Sequence, residues 1–78
     1  MSAVPMTPVT SSNVEAIGWR GDVLHVRYKG GKTYTYQGVP ESLYKRALVS
    51  ESLGAFLHHN VKAHYEGLRI DHGVAHAG

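Results

Sequence analysis

Two strictly alternating runs flank a pair of glycines, and this pattern limits the fold more than any other feature. Val23-Leu24-His25-Val26-Arg27-Tyr28 and Thr33-Tyr34-Thr35-Tyr36-Gln37 are separated by Lys29-Gly30-Gly31-Lys32. Period-two alternation marks a half-buried strand, and a glycine connection of this length closes an antiparallel hairpin. Loop length then decides which way the tyrosines face. A two-residue Gly30-Gly31 turn puts Tyr34 and Tyr36 on the face of His25 and Arg27. A three-residue loop, with Gly31 left-handed and closing a bulge, shifts the pairing by one and joins them to Leu24, Val26 and Tyr28. A slip of one residue exchanges every side chain between faces. The bulged register is favoured, because it gathers Ile17, Trp19, Leu24, Val26, Tyr28, Tyr34 and Tyr36 on one side.

Neighbouring segments extend the pattern. Val14 to Trp19 runs into Arg20-Gly21-Asp22, and glycine at the first central position predicts a type II′ hairpin. That register pairs Trp19 with Leu24 and Ile17 with Val26. Downstream, Pro40 suits a first helical position and Glu41 the positive end of the helix dipole. Leu43, Tyr44, Ala47 and Leu48 recur at helical spacing, with Lys45 and Arg46 on the other side. Ser50 is the expected cap of a second helix from Glu51 to about His64. It would bury Leu53, Phe56, Leu57 and Val61 and turn His58, His59 and Lys62 outward. The expected class is α+β: a three-stranded antiparallel β-meander followed by two α-helices packed on one face (β-β-β-α-α). Residues 1–8 read as a flexible lead-in and residues 9–65 as the domain. Residues 66–78 read as an irregular tail docked through Leu68 and Ile70.

Composition removes several alternatives. The chain has 78 residues and no cysteine, so an apolar core must hold it without disulfides or a thiolate metal cluster. No run approaches the ~18 apolar residues of a membrane helix. The first nine residues lack the basic and apolar regions of a signal peptide, so a cytoplasmic location is expected. Among the histidines only His72 and His76 have the i, i+4 spacing of a helical zinc site. They sit in the glycine-bearing tail without supporting carboxylates, so no metal or other cofactor is expected. There is no nucleophile elbow, phosphate loop or carboxylate pair, and no residue is assigned a catalytic role.

Several short runs then resemble a known family. They are Ser11-Ser12-Asn13-Val14 through Ile17-Gly18-Trp19, Leu24-x-Val26-x-Tyr28, Tyr34-x-Tyr36, Gly38-Val39-Pro40-Glu41-Ser42-Leu43-Tyr44 and Ser52-x-Gly54-x-Phe56-Leu57. In this order they are similar to the KTSC domain, found at the C-terminus of some lysyl-tRNA synthetases and as a stand-alone protein in bacteria and phages. The resemblance covers about Val9 to Tyr65 and implies RNA binding, with tRNA as the first ligand to consider. Members usually carry basic residues between the small and aromatic positions of the last helix. This chain has Leu53 and Ala55 there and His58-His59-Asn60 beyond, which implies a more protein-facing helix.

Charge supports a binding role. Between Asn13 and Tyr65 the seven bases Arg20, Arg27, Lys29, Lys32, Lys45, Arg46 and Lys62 outnumber the four acids Glu15, Asp22, Glu41 and Glu51. The expected function is a small non-catalytic RNA-binding module. Arg27, Lys29, Lys32, Lys45, Arg46 and Lys62 would meet phosphates, Tyr34 and Tyr36 would offer stacking or hydroxyl contacts, and His58 and His59 would add charge near pH 6. The bland alternative buries both tyrosines in the core and leaves the bases as solvated surface. A protein-interaction module docking its exposed helix or sheet edge on a partner is the second functional reading, and a nuclease using His58 and His59 as acid and base the remote third.

Overall fold

Hydrogen bonding sorts the alternating segments into a single antiparallel sheet. The computed structural model describes residues 4–70. Five strands follow the chain in simple order: β1 (Thr7–Pro8), β2 (Val14–Arg20), β3 (Val23–Tyr28), β4 (Thr33–Gln37) and β5 (Gly67–Ile70). Between β4 and β5 come α1 (Glu41–Leu48) and α2 (Leu53–Leu57), the latter running on as a π-helical turn over His58–Lys62. The α+β class stands, but the sheet has five strands rather than three. Two short edge strands account for the difference. Thr7 and Pro8 pair with Ile17 and Ala16, in what was expected to be a loose lead-in. Residues 67–70 pair with β4 in what was expected to be an irregular tail. Neither edge alternates over enough residues to read as a strand by itself.

The register of β3 and β4 is the bulged one. Leu24 faces Tyr36 and Val26 faces Tyr34. Tyr28 N–H donates to Lys32 C=O and Gly31 N–H to Tyr28 C=O, with φ of 103° at Gly30 and 96° at Gly31. Both angles are open to glycine and costly to residues with a Cβ. Trp19 pairs with Leu24 and Ile17 with Val26, as the first hairpin requires. Its turn differs from expectation. Gly21 and Asp22 both take positive φ, 59° and 65°, which is type I′ rather than II′. A short Asp side chain tolerates that left-handed region.

A bulge at Glu15 was not legible in the alternation. Val14 pairs with Tyr28 while Ala16 already pairs with Arg27. Unbroken pairing would aim the Glu15 carboxylate into the core; the extra residue puts Val14 there instead, fully buried beside Ile17. Glu15 instead comes within 3.7 Å of Arg27 Nε.

Helices cover the face that carries Ile17, Leu24, Val26 and Tyr36. Val39, Ala47, Leu53, Leu57 and Val61 complete the buried core, with Phe56 packed against it half-buried. Val39 fastens the sheet-to-helix crossing: its N–H donates to Asp22 C=O, and the Trp19 indole N–H donates to its carbonyl at 2.7 Å. Pro40 is the extended N-cap of α1 rather than its first helical residue. Ser52, not Ser50, caps α2 by accepting from Ala55 N–H. Ser50 instead donates to Ala47 C=O and closes the end of α1. Leu48, expected on the buried stripe, is 38% exposed, and Leu68, expected to dock the tail, is 59% exposed. No helix among the described residues is long and apolar enough to cross a membrane.

Tyr36 should dominate stability among the tyrosines. It is 3% exposed, and a Cβ at Gly67 would approach its ring to 2.7 Å. Tyr36→Ala is expected to cost about 3–5 kcal/mol, comparable to the whole stability of a domain this small. Gly67→Ala is expected to cost about 1–3 kcal/mol by overpacking, and Tyr34→Ala less than Tyr36→Ala because Tyr34 is half-exposed. Thermal melts followed by circular dichroism will rank the three; a Tyr34→Ala melt below that of Tyr36→Ala would contradict the packing described.

Candidate functional site

The bulged hairpin brings Tyr28, Tyr34 and Tyr36 to the end of the sheet where α2 stops. There they form a cleft of about 440 Å³ with Asn13, Lys32, Lys62, Tyr65 and Gly67. Each wall has a local cause. Lys32 ends the glycine turn, and β4 delivers Tyr34 and Tyr36 two residues apart on one face. Gly67, opposite Tyr36 on β5, leaves room for the ring to lie over the strand. The π-helical turn keeps Val61 buried while Lys62 lies with its ammonium 5.2 Å from the Tyr28 ring centre. π-Helical turns inside helices recur at functional sites. Tyr65 N–H donates to Val61 C=O, so the last ring is tied to the same turn.

Inside the cleft the rings are organised by their polarity. Tyr28 and Tyr34 meet edge to face, with centroids 5.7 Å apart and planes at 85°. Burial, then the neighbouring Tyr28 hydroxyl, pushes the Tyr36 phenol well above its ordinary pKa, so it stays protonated. The Tyr28 hydroxyl is itself closed off from water, against that of Tyr36. None of the lining residues is acidic. Chemically the cleft is an aromatic-walled slot with two cations at its rim. A second depression of about 520 Å³ lies by the start of α2, lined by Thr10, Ser11, Ser12, Asn13 and residues 51–55 including Glu51. It is larger, but it has a carboxylate and no cation.

Four of the ten residues expected to form the site converge here: Lys32, Tyr34, Tyr36 and Lys62. Lys29 is exposed in the adjoining turn, its N–H bonded to Asn13 C=O. The others do not join them. Arg27 points to the opposite face of the sheet beside Glu15. Lys45 lies 3.9 Å from Glu41 on α1, and the Arg46 guanidinium lies 5.6 Å from the centre of the Phe56 ring. His58 and His59 are exposed on the π-helical turn, rings 5.1 Å apart and edge to face. Among the described residues no three histidine, cysteine or acidic side chains come together as a metal set; His72 and His76 lie outside those residues. The sequence reading missed Tyr28, Tyr65 and Asn13 as site residues. Tyr28 shares the alternating face of Tyr34 and Tyr36, and Tyr65 lies four residues beyond Val61, so both had a signal in spacing.

Fold and cleft together define a small α+β domain with helices on one face of an antiparallel meander and a tyrosine slot at one end. The KTSC domain model matches residues 10–65, and the chain belongs to that family. It is 36% identical over 67 residues to a protein of Tsukamurella paurometabola, covering 83% of this chain and all of that one. The crystal structure of a KTSC domain protein from Yersinia pestis is similar at a TM-score of 0.80 and 30% identity, over 87% of this chain and 99% of that one.

The face of the sheet away from the helices adds a pH dependence. Burial lowers the pKa of His25 below its ordinary 6.5, so folding disfavours its charged form. The fold is then at full stability above about pH 6.5 and loses stability as pH falls from there through the lowered pKa. His25→Gln is expected to flatten this acid limb in melting temperature measured from pH 7 down to pH 5; an unchanged slope would contradict it.

Proposed function

We propose that this protein is a small non-catalytic RNA-binding module whose contact surface is the tyrosine cleft. The observation that supports this reading is the chemistry of the lining: four tyrosines with Lys32 and Lys62 and no acid. Single-stranded nucleic acid is held by such a combination, bases on aromatic faces and phosphates on cations. Tyr34 and Tyr65, half-buried, offer ring surface, while Tyr36 is mainly core. Lys29 extends the cationic rim along the turn. The family resemblance makes tRNA the first RNA to assay. The protein-docking reading draws less support. Leu48, with Val49 next to it in the chain, lies by the residues of β1, and Leu68 sits on β5 at the opposite edge of the sheet, so the three do not build one apolar patch.

The cleft reading separates the cations into two groups. Binding of single-stranded RNA, followed by fluorescence anisotropy, is expected to weaken with salt at a log–log slope of about −1.4 to −2, that is two or three phosphate contacts. Lys32→Gln and Lys62→Gln should each reduce that slope by about 0.7. Arg27→Gln and Arg46→Gln should leave it unchanged. No binding at about 50 mM salt, or an equal effect of all four substitutions, contradicts the proposal.

A further inference from the structure

We propose that the depression beside the tyrosine cleft is a ribose subsite, which takes the sugar next to a cleft-bound phosphate and selects RNA over DNA through its 2′-hydroxyl. The inference rests on the RNA reading above and deepens it. Asn13 lines both the cleft and the depression, so a strand held in one runs over Asn13 into the other. That saddle is tied down on several sides. The Asn13 carbonyl accepts from Lys29 N–H, and Ser11 Oγ accepts from the N–H groups of Asn13 and Val14. With both lone pairs engaged, the Ser11 hydroxyl gives its proton to Asn13 Oδ1, which orients the side-chain amide with Nδ2 as its donor end. Gly54 makes room for that amide: a Cβ there would stand 3.1 Å from Asn13 Oδ1.

The two hollows differ in charge, and the difference assigns their contents. The cleft has Lys32 and Lys62 and no acid, whereas the depression has Glu51 and no cation. A nucleic-acid strand carries its charge on the phosphates, with neutral nucleosides between them. Phosphate therefore stays on the lysine side, and the carboxylate repels it from the depression. An ionised carboxylate accepts hydrogen bonds and donates none, so whatever sits beside Glu51 has to bring a donor. Within a strand the sugar supplies one only through the 2′-hydroxyl, which DNA lacks. Glu51 is exposed and makes no ion pair among the described residues, so its carboxylate is not already committed. Ser52 Oγ, beside it, accepts from Ala55 N–H and keeps its proton for an oxygen of the same sugar. A depression of about 520 Å³ has room for a nucleoside.

The test uses the full chain and three labelled hexauridylates with ribose, 2′-deoxyribose or 2′-fluororibose throughout; the fluoro sugar keeps an RNA-like pucker but has no donor. By fluorescence anisotropy the ribose strand is expected to bind about tenfold tighter than either of the others, as for one hydrogen bond to a charged group. Glu51→Ala removes the acceptor from an exposed position and should leave the melting temperature unchanged. It should bring the three strands to within about twofold of one another, the deoxy strand binding as before or more tightly because a like charge is gone. Lys62→Gln should weaken all three alike and keep the ratio, since a phosphate contact does not depend on the sugar. Equal binding of the three strands by the unaltered chain overturns this inference and leaves the tyrosine cleft standing as a site for single strands. A fluoro strand that binds like the ribose strand overturns it too, because pucker rather than the hydroxyl is then being read. So does a preference that survives in Glu51→Ala. Binding of none of the strands removes this inference and the RNA reading together.

Discussion

Parity along β3 and β4 is the constraint on which the rest of this domain depends. With a three-residue loop closed by Gly30 and Gly31, Tyr34 and Tyr36 fall opposite Val26 and Leu24 and share the face of Tyr28. The same parity sends Arg27, His25, Thr33 and Thr35 to the far side. One residue fewer in the loop would exchange these sets, exposing both phenols and turning a guanidinium and an imidazole toward Leu57 and Val61. The core and the cleft are therefore consequences of one turn.

That constraint also explains why an almost neutral protein can have a locally cationic site. The formal net charge is only +2. Arg46 sits over Phe56, outside the cleft, and part of the remaining basic surface is neutralised: Arg27 by Glu15, Lys45 by Glu41. Exposed pairs of this kind add little to stability, but they remove those cations from long-range attraction. Lys32 and Lys62 remain beside aromatic rings with no carboxylate in the lining, which is where a modest field is focused.

Legibility varied with how local each determinant was. The two hairpin registers and the helical stripe of Leu53, Leu57 and Val61 were readable because each depends on spacing within a dozen or so residues, and the family because several such runs follow one another in order. The Glu15 bulge was not, because strict alternation gives no sign that Val14 must replace Glu15 on the core face. Nor were the two edge strands. Thr7–Pro8 and Gly67–Ile70 are held by pairing to a sheet that has to exist first. Ser50 and Ser52 were interchangeable as caps on propensity alone, and the place where α1 ends distinguished them.

The candidate site shows the same division. Lys32, Tyr34 and Tyr36 could be grouped from the sequence, since they lie within five residues on one strand and its turn. Lys62 and Tyr65 lie some thirty residues further on and reach the same cleft only because α2 crosses back over the sheet and ends in a π-helical turn. Arg27 and Arg46 carry the same charge as those lysines in any linear reading. Their exclusion follows from the face and partner each one acquires on folding. The sequence by itself determined the strand parity and the aromatic content of the covered face, because these are set by local periodicity and glycine geometry. Only the tertiary structure decided which cations stand beside those rings, because that depends on long-range packing with no counterpart in sequence spacing.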